Sequence, residues 1–198
     1  MGKNFWMIVE SPENFEITRD VGFTLYGFGE KYRRRAERMQ PDDRVLFYVK
    51  EMRKWTATAT IASRYFEDNR PMWKPNSFGE QFRYRVKLSP DIILEEKDYI
   101  DALILAPRLE YVKKWLPEDW PLAFHESLHL LPQRDFRLIE SEMKRLIPRN
   151  RRGANRHRNR QPAAPVTDNA VQSQPSEETQ VDETPGQSAT DGSSAGST

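Results

Sequence analysis

The residues whose spacing most suggests chemistry are His125, Glu126 and His129, which read His-Glu-x-x-His. On a helix, that spacing places two imidazoles one turn apart to hold zinc, with the glutamate as general base for hydrolysis. The motif lies between Pro121 and Pro132, Leu122-Ala123-Phe124 carries no helix-start signal, and the remaining histidine, His157, lies far along the chain. A zinc-dependent hydrolase is therefore the lesser expectation, and two surface histidines in a connecting strand or turn the greater. There is no glycine-rich phosphate loop, no Gly-x-Ser-x-Gly elbow and no cysteine nucleophile, and the spacing of Gly22, Gly27 and Gly29 does not fit a dinucleotide fingerprint. No catalytic residue, metal or other cofactor is expected.

What recurs instead is aromatic residues beside basic ones. Trp6, Phe23, Tyr26, Phe47, Tyr48, Trp55, Trp73 and Trp115 stand against Lys31, Arg33, Arg34, Arg35 and Arg38, and against Arg83 and Arg85. Aromatic faces stack on unpaired bases while cations hold phosphates, so this pattern suits a module that takes one base into a pocket. The plainer reading is a solvated charged helix over 31–39 and aromatics that are mostly core. Trp73 is set in a loop, 67–76, rich in Pro, Asn and Asp; it is either a plug over the core or a ligand platform.

The elements that would position these residues centre on 44–66. Val45 to Val49 is a nearly continuous apolar run, read as a strand covered on both faces. From Trp55, an alternation sets Trp55, Ala57, Ala59 and Ile61 against Thr56, Thr58 and Thr60, read as a half-buried strand paired with the first in a hairpin. Asn4 to Val9 reads as a buried first strand. Ser11 caps a short helix behind it, with Pro12 at its first position. Residues 81–88 alternate, with Phe82, Tyr84, Val86 and Leu88 inward and Arg83, Arg85 and Lys87 forming a basic outer face, and 91–94 extends the sheet past Pro90. Three-four spacing over 98–115 predicts helix, with Pro107 starting a second one. A last helix spans about 132–146, with Phe136, Ile139, Met143 and Leu146 as its apolar face.

The 198 residues include 37% hydrophobic and 11% aromatic ones, and the bulky members nearly all precede Pro148. Ordering the remainder would cost backbone entropy with little apolar burial to offset it. The sequence thus predicts one domain at 1–148 and a disordered tail at 149–198, comprising an arginine-rich arm (149–160) and an acidic segment rich in Ser, Thr, Pro and Gln (161–198). Basic and acidic residues nearly balance, 31 against 30, so nucleic-acid affinity must come from a local patch or from the arm. Cysteine is absent, no segment resembles a signal peptide, and no run nears the ~20 apolar residues of a membrane helix. A soluble, cytoplasmic protein without membrane contact is expected; oligomeric state is not legible.

Several strings are distinctive together: FWMIVESPENFEI at 5–17, GFTLYGF at 22–28, MQPDDRVLFYV at 39–49, WTATATIAS at 55–63 with RYFEDNRPMWK after it, APRLEYVKKW at 106–115 and PLAFHESLHLLPQRDF at 121–136. Over about residues 3–146 the chain resembles bacterial EVE-domain proteins, which are PUA-like and similar to YTH domains. The resemblance implies an α+β fold, a strongly curved β-barrel flanked by helices. It also implies a non-enzymatic module that binds DNA or RNA carrying a modified base, methylated or hydroxymethylated, in an aromatic pocket. Carried over, Ser11 and Asn14 resemble the polar edge readers, Phe23-Thr24 the place where relatives have tryptophan and a small polar residue, and Trp73 a second cage tryptophan. Phe23 departs from the YTH pattern, so a preference for N6-methyladenine in RNA does not transfer. Phosphate contacts are expected from Arg33, Arg34, Arg35 and Arg83. A protein-interaction adaptor acting through the tail is the other alternative to the zinc hydrolase.

Overall fold

The structure, a computed structural model, describes residues 2–75 and 79–147. The expected arm and acidic segment lie outside the described residues. Everything described below belongs to one compact unit.

β3 (Arg44–Val49) and β4 (Lys54–Ile61) form the expected antiparallel hairpin at the middle of a mixed sheet. β1 (Phe5–Glu10) lies parallel to β3, an arrangement that requires a crossover. The crossover carries α1 (Pro12–Asp20), β2 (Leu25–Phe28), a 3-10 turn and the single-turn α2 (Arg33–Ala36). β6 (Tyr84–Ile93) continues through Pro90 as expected and joins β2 to β4. Short β5 (Phe66–Glu67) and β7 (Ile100–Asp101) pair with β6 and β4, and β8 (Leu128–Leu130) pairs with β1. The order β2-β6-β4-β3-β1-β8 makes a curled half-barrel sheet.

Two bulges bend it. Phe47 pairs with Ala57 but Tyr48 pairs with Trp55, which leaves Thr56 as an extra residue on β4. Thr58 pairs with Ile92 but Ala59 pairs with Pro90, which leaves Asp91 extra on β6. Such insertions sharpen local twist and switch the face on which later side chains lie. The expected strict alternation therefore fails at Trp55, which packs with Tyr48 and Phe124 while Ala57, Ala59 and Ile61 belong to the opposite core. Nor is β4 half-exposed: Thr56 and Thr58 are buried too.

The cores lie on the two faces of the sheet. One gathers Trp6, Ile8, Phe15, Phe23, Phe47 and Val86, and the other Met7, Val9, Leu46, Tyr48 and Trp55 under α4 (Gln133–Leu146). α4 buries Phe136, Ile139 and Met143 almost completely, and each such side chain contributes about 1.5–3 kcal/mol. The predicted helices over 98–115 shrink to single turns. Asp101 caps the single-turn α3 (Ala102–Leu105), a 3-10 turn follows at Pro107, and Leu109 is extended. The amides of Glu110 and Tyr111 then donate to the buried Asp135 carboxylate, at 2.9 and 2.7 Å, instead of to helical carbonyls. The basic run over 31–39 is likewise no long helix. Among the described residues, no helix is long and apolar enough to cross a membrane.

Candidate nucleic-acid interface

Ser11 starts α1 by accepting the Asn14 amide on its hydroxyl at 3.4 Å, with Pro12 in the first turn, where a missing N–H leaves nothing unpaired. The helix so placed turns Asn14 and Thr18, one turn apart, toward the loop carrying Trp73. Asn14 Nδ2 donates to the Lys74 carbonyl at 3.1 Å, and the Lys74 amide donates to Asn14 Oδ1 at 2.8 Å, a paired clamp on the loop. Trp73 Nε1 donates to Thr18 Oγ1 at 3.0 Å, and that hydroxyl donates to Glu10 Oε2 at 2.6 Å. Glu10 is only 2% exposed, and burial pushes its carboxyl up to about 8, so it holds its proton at neutral pH. Its Oε1 has no hydrogen-bond partner among the described residues.

Trp73 itself is buried, packed on Tyr26 at 5.4 Å and under the Arg85 guanidinium at 5.4 Å. A Cβ at position 27 would fall 2.8 Å from Trp73 Cζ3, so the indole sits where only glycine leaves room. In this conformation the tryptophan is a plug. Phe23, in left-handed backbone at φ 55°, turns into the core between Phe15 and Phe47. Thr24 is on the surface, its hydroxyl donating to the Val21 carbonyl at 2.7 Å. Of the five pocket residues named from the sequence, Asn14 and Trp73 thus meet through Lys74 and Thr18, Ser11 holds the helix that supplies Asn14 and Thr18, Phe23 is buried in the core, and Thr24 is exposed on the surface.

Sequence reasoning missed Glu10 and Thr18. The available signal was a carboxylate ending the otherwise apolar run Phe5 to Val9. It also placed Arg85 outward, whereas Arg85 is 1% exposed. Its guanidinium pairs with Asp68 at 2.7 Å, donates to the Arg70 carbonyl and covers Trp73, and these partners satisfy a charge the strand pattern alone would put in water.

The four expected phosphate ligands fall into separate groups. Arg33 and Arg83 lie over the Tyr84 ring at 5.5 and 5.3 Å, and both engage Glu30. Arg34 is exposed and has no partner among the described residues. Arg35 donates to the Leu128 carbonyl at 2.6 Å and lies 3.7 Å from Glu126.

The EVE domain sequence model matches residues 4–116. The chain belongs to the EVE domain family. No curated protein matches it significantly. Its fold is similar to YTH domains. The YTH domain of mmi1 aligns with TM-score 0.53 and 6% identity over 72% of this chain and 89% of that one, and an mmi1–RNA complex with 0.52 and 7% over 71% and 81%. The YTH domain of Toxoplasma CPSF4 aligns with 0.50 and 15% over 75% and 90%. The curled sheet of this EVE domain is thus PUA-like.

The His-Glu-x-x-His motif, beyond the residues matched by the EVE model, is not on a helix. His125 ends the 3-10 turn Trp120–Phe124 and is exposed, while His129 is on β8. His129 is buried rather than superficial. Its ring nitrogens lie 2.8 Å from Tyr111 Oη and 2.7 Å from the Glu126 carbonyl, and burial holds its pKa below the usual histidine value. Glu126 is taken by Lys31 Nζ at 2.9 Å and Tyr32 Oη at 3.2 Å. Among the described residues, no cluster of His, Cys, Asp or Glu is arranged to hold a metal ion.

Proposed function

We propose that this EVE domain is a non-enzymatic binder of nucleic acid that takes one modified base, methylated or hydroxymethylated, into the site built on Asn14, Thr18, Glu10 and Trp73. The observation that carries the reading is Glu10 Oε1, a buried carboxyl oxygen with no partner among the described residues, at the end of the chain from Trp73 through Thr18. Buried polar atoms are almost always paired, and a base edge entering beside the indole would supply the missing bond. A protonated Glu10 can both donate and accept, which suits the amino and ring-nitrogen edge of adenine or cytosine. Base entry requires the indole to leave its seat against Gly27. The likeness in fold to mmi1, solved with RNA, supports the class of ligand. Arg34, together with Arg33 and Arg83 flanking Tyr84, would hold the adjoining phosphates, and Arg35 would extend that row.

The test is binding of the full chain to matched oligonucleotides, DNA and RNA, single- and double-stranded, carrying cytosine, 5-methylcytosine, 5-hydroxymethylcytosine, adenine or N6-methyladenine. One modified base is expected to bind at least about tenfold tighter than its parent. Trp73→Ala and the milder Asn14→Ala should remove that preference while general affinity persists. Equal affinity for every base in the wild type refutes the reading.

A further inference from the structure

Between α2, β8 and the turn that carries His125 lies a cleft of about 380 Å³. It shares no residue with the base pocket at Trp73, and Arg35, at the end of the phosphate row, borders it. Its rim carries Arg35, Arg38 and Lys114, and Tyr111, Trp115 and the exposed Leu122 also line it. Glu126 is the single carboxylate among the lining residues, and it is already engaged by Lys31 and Tyr32. Glu126 also lies 3.7 Å from Arg35, so the uncompensated charge on the rim is that of Arg38 and Lys114. Arg38 is exposed and has no ion pair among the described residues, and Lys114 has only the Tyr111 ring, 5.5 Å from its Nζ.

The aromatic wall is rigid on one side and open on the other. Tyr111 lies flat against Phe124, with centroids 6.2 Å apart and planes 19° apart, and its hydroxyl is fixed by His129. Trp115, by contrast, is 36% exposed, a large amount of indole to leave in water. A pre-set ring, an open indole and unpaired cations around a volume of this size are what an unstacked nucleotide needs, with the base on the rings and the phosphate on the cations. An acidic peptide would use the cations but leave the rings idle.

α2 gives the direction of travel. Arg33 leans on Tyr84, Arg34 has no partner among the described residues, and Arg35 lines the cleft, so consecutive residues of a single turn reach from the Tyr84 side to this one. We propose that the cleft is a second nucleotide site, indifferent to base modification, which holds a neighbouring unit of the same single strand whose modified base occupies the Trp73 site. The proposal rests on the nucleic-acid reading above for its strand, but not on base discrimination.

The experiment measures fluorescence anisotropy of the full chain with a labelled, unmodified thymidine oligonucleotide of about 10 nucleotides, a length within the span of single-strand modules. The double variant Arg38→Ala with Trp115→Ala alters only exposed side chains, and Arg38→Ala alone serves if the double variant does not melt cooperatively. The double variant is expected to weaken binding about tenfold, and losing the Arg38 phosphate contact is expected to make the slope of log K against log salt shallower by about 0.7. The ratio of modified to parent base affinity should stay unchanged. That ratio is where failure of the first reading would show, so the two outcomes separate. Unaltered oligonucleotide binding in the folded double variant overturns the proposal. So does polyglutamate competing as well as the oligonucleotide, which would make the cleft a general anion surface.

Discussion

Glu10→Gln replaces the carboxyl beneath Trp73 with a neutral group of the same shape, and its effect should depend on pH. The wild-type carboxyl has its ordinary value of 4.5 when unfolded and is pushed up to about 8 by burial when folded. Between those values the folded protein holds a proton that the unfolded chain has released. Stability from this group is therefore fully present below pH 4.5, declines as pH rises, and levels off above 8. The slope approaches 1.36 kcal/mol per pH unit, so the whole decline is at most about 5 kcal/mol across the window. The glutamine cannot ionise, so this component vanishes. The assay is urea unfolding of wild type and variant at intervals from pH 5 to pH 8. The two should be nearly equal at pH 5, with the variant more stable by about 3–4 kcal/mol at pH 8. His129, whose pKa burial lowers, works in the opposite sense, with stability lost as pH falls below the usual histidine value. The difference between the two proteins cancels that contribution. A difference that does not change with pH would refute the buried, protonated Glu10 and remove the hydrogen-bonding role assigned to it.

Three further substitutions probe the same framework. Gly27→Ala places a methyl 2.6 Å from the Phe82 carbonyl oxygen and 2.8 Å from the Trp73 ring; it should cost about 1–3 kcal/mol in urea unfolding and shift Trp73 emission. Arg85→Met removes the cation over Trp73 and leaves Asp68 to the more exposed Arg70; a lower midpoint in thermal unfolding and a shift in Trp73 emission are expected. Asp135→Asn keeps one acceptor where two oxygens now take the Glu110 and Tyr111 amides; it should cost about 2 kcal/mol and raise amide exchange over 109–112.

The parts of the fold written in short-range chemistry could be read directly. The apolar runs of β1 and β3, the Ser11-Pro12 start of α1 and the three-four spacing of α4 all specify their elements locally, and the observed elements match. What escaped was set by distant partners. The Thr56 bulge exists because of how β4 registers with β3, and Arg85 is buried because Asp68 and Trp73 receive it. Helical spacing over 98–115 lost to the Asp135 carboxylate, 24 residues from Tyr111, which offers the backbone better acceptors. In the candidate site, Asn14 and Trp73 were legible from resemblance. Glu10 and Thr18 were not, since their roles depend on a hydrogen-bond chain spanning 55 residues between Thr18 and Trp73.

The pairing of β1 with β8 bears on where this protein can be cut. The family match ends at residue 116, but β8 and α4 lie beyond it at 128–130 and 133–146. A fragment trimmed to the match would lose the cover of Met7, Val9, Leu46 and Tyr48 and would turn β1 into a bare, apolar border strand. Such borders recruit further strands from neighbouring molecules. The shortest fragment that stays dispersed in solution should therefore reach the end of α4, and its aggregation on trimming would report how firmly the last strand and helix seal the sheet.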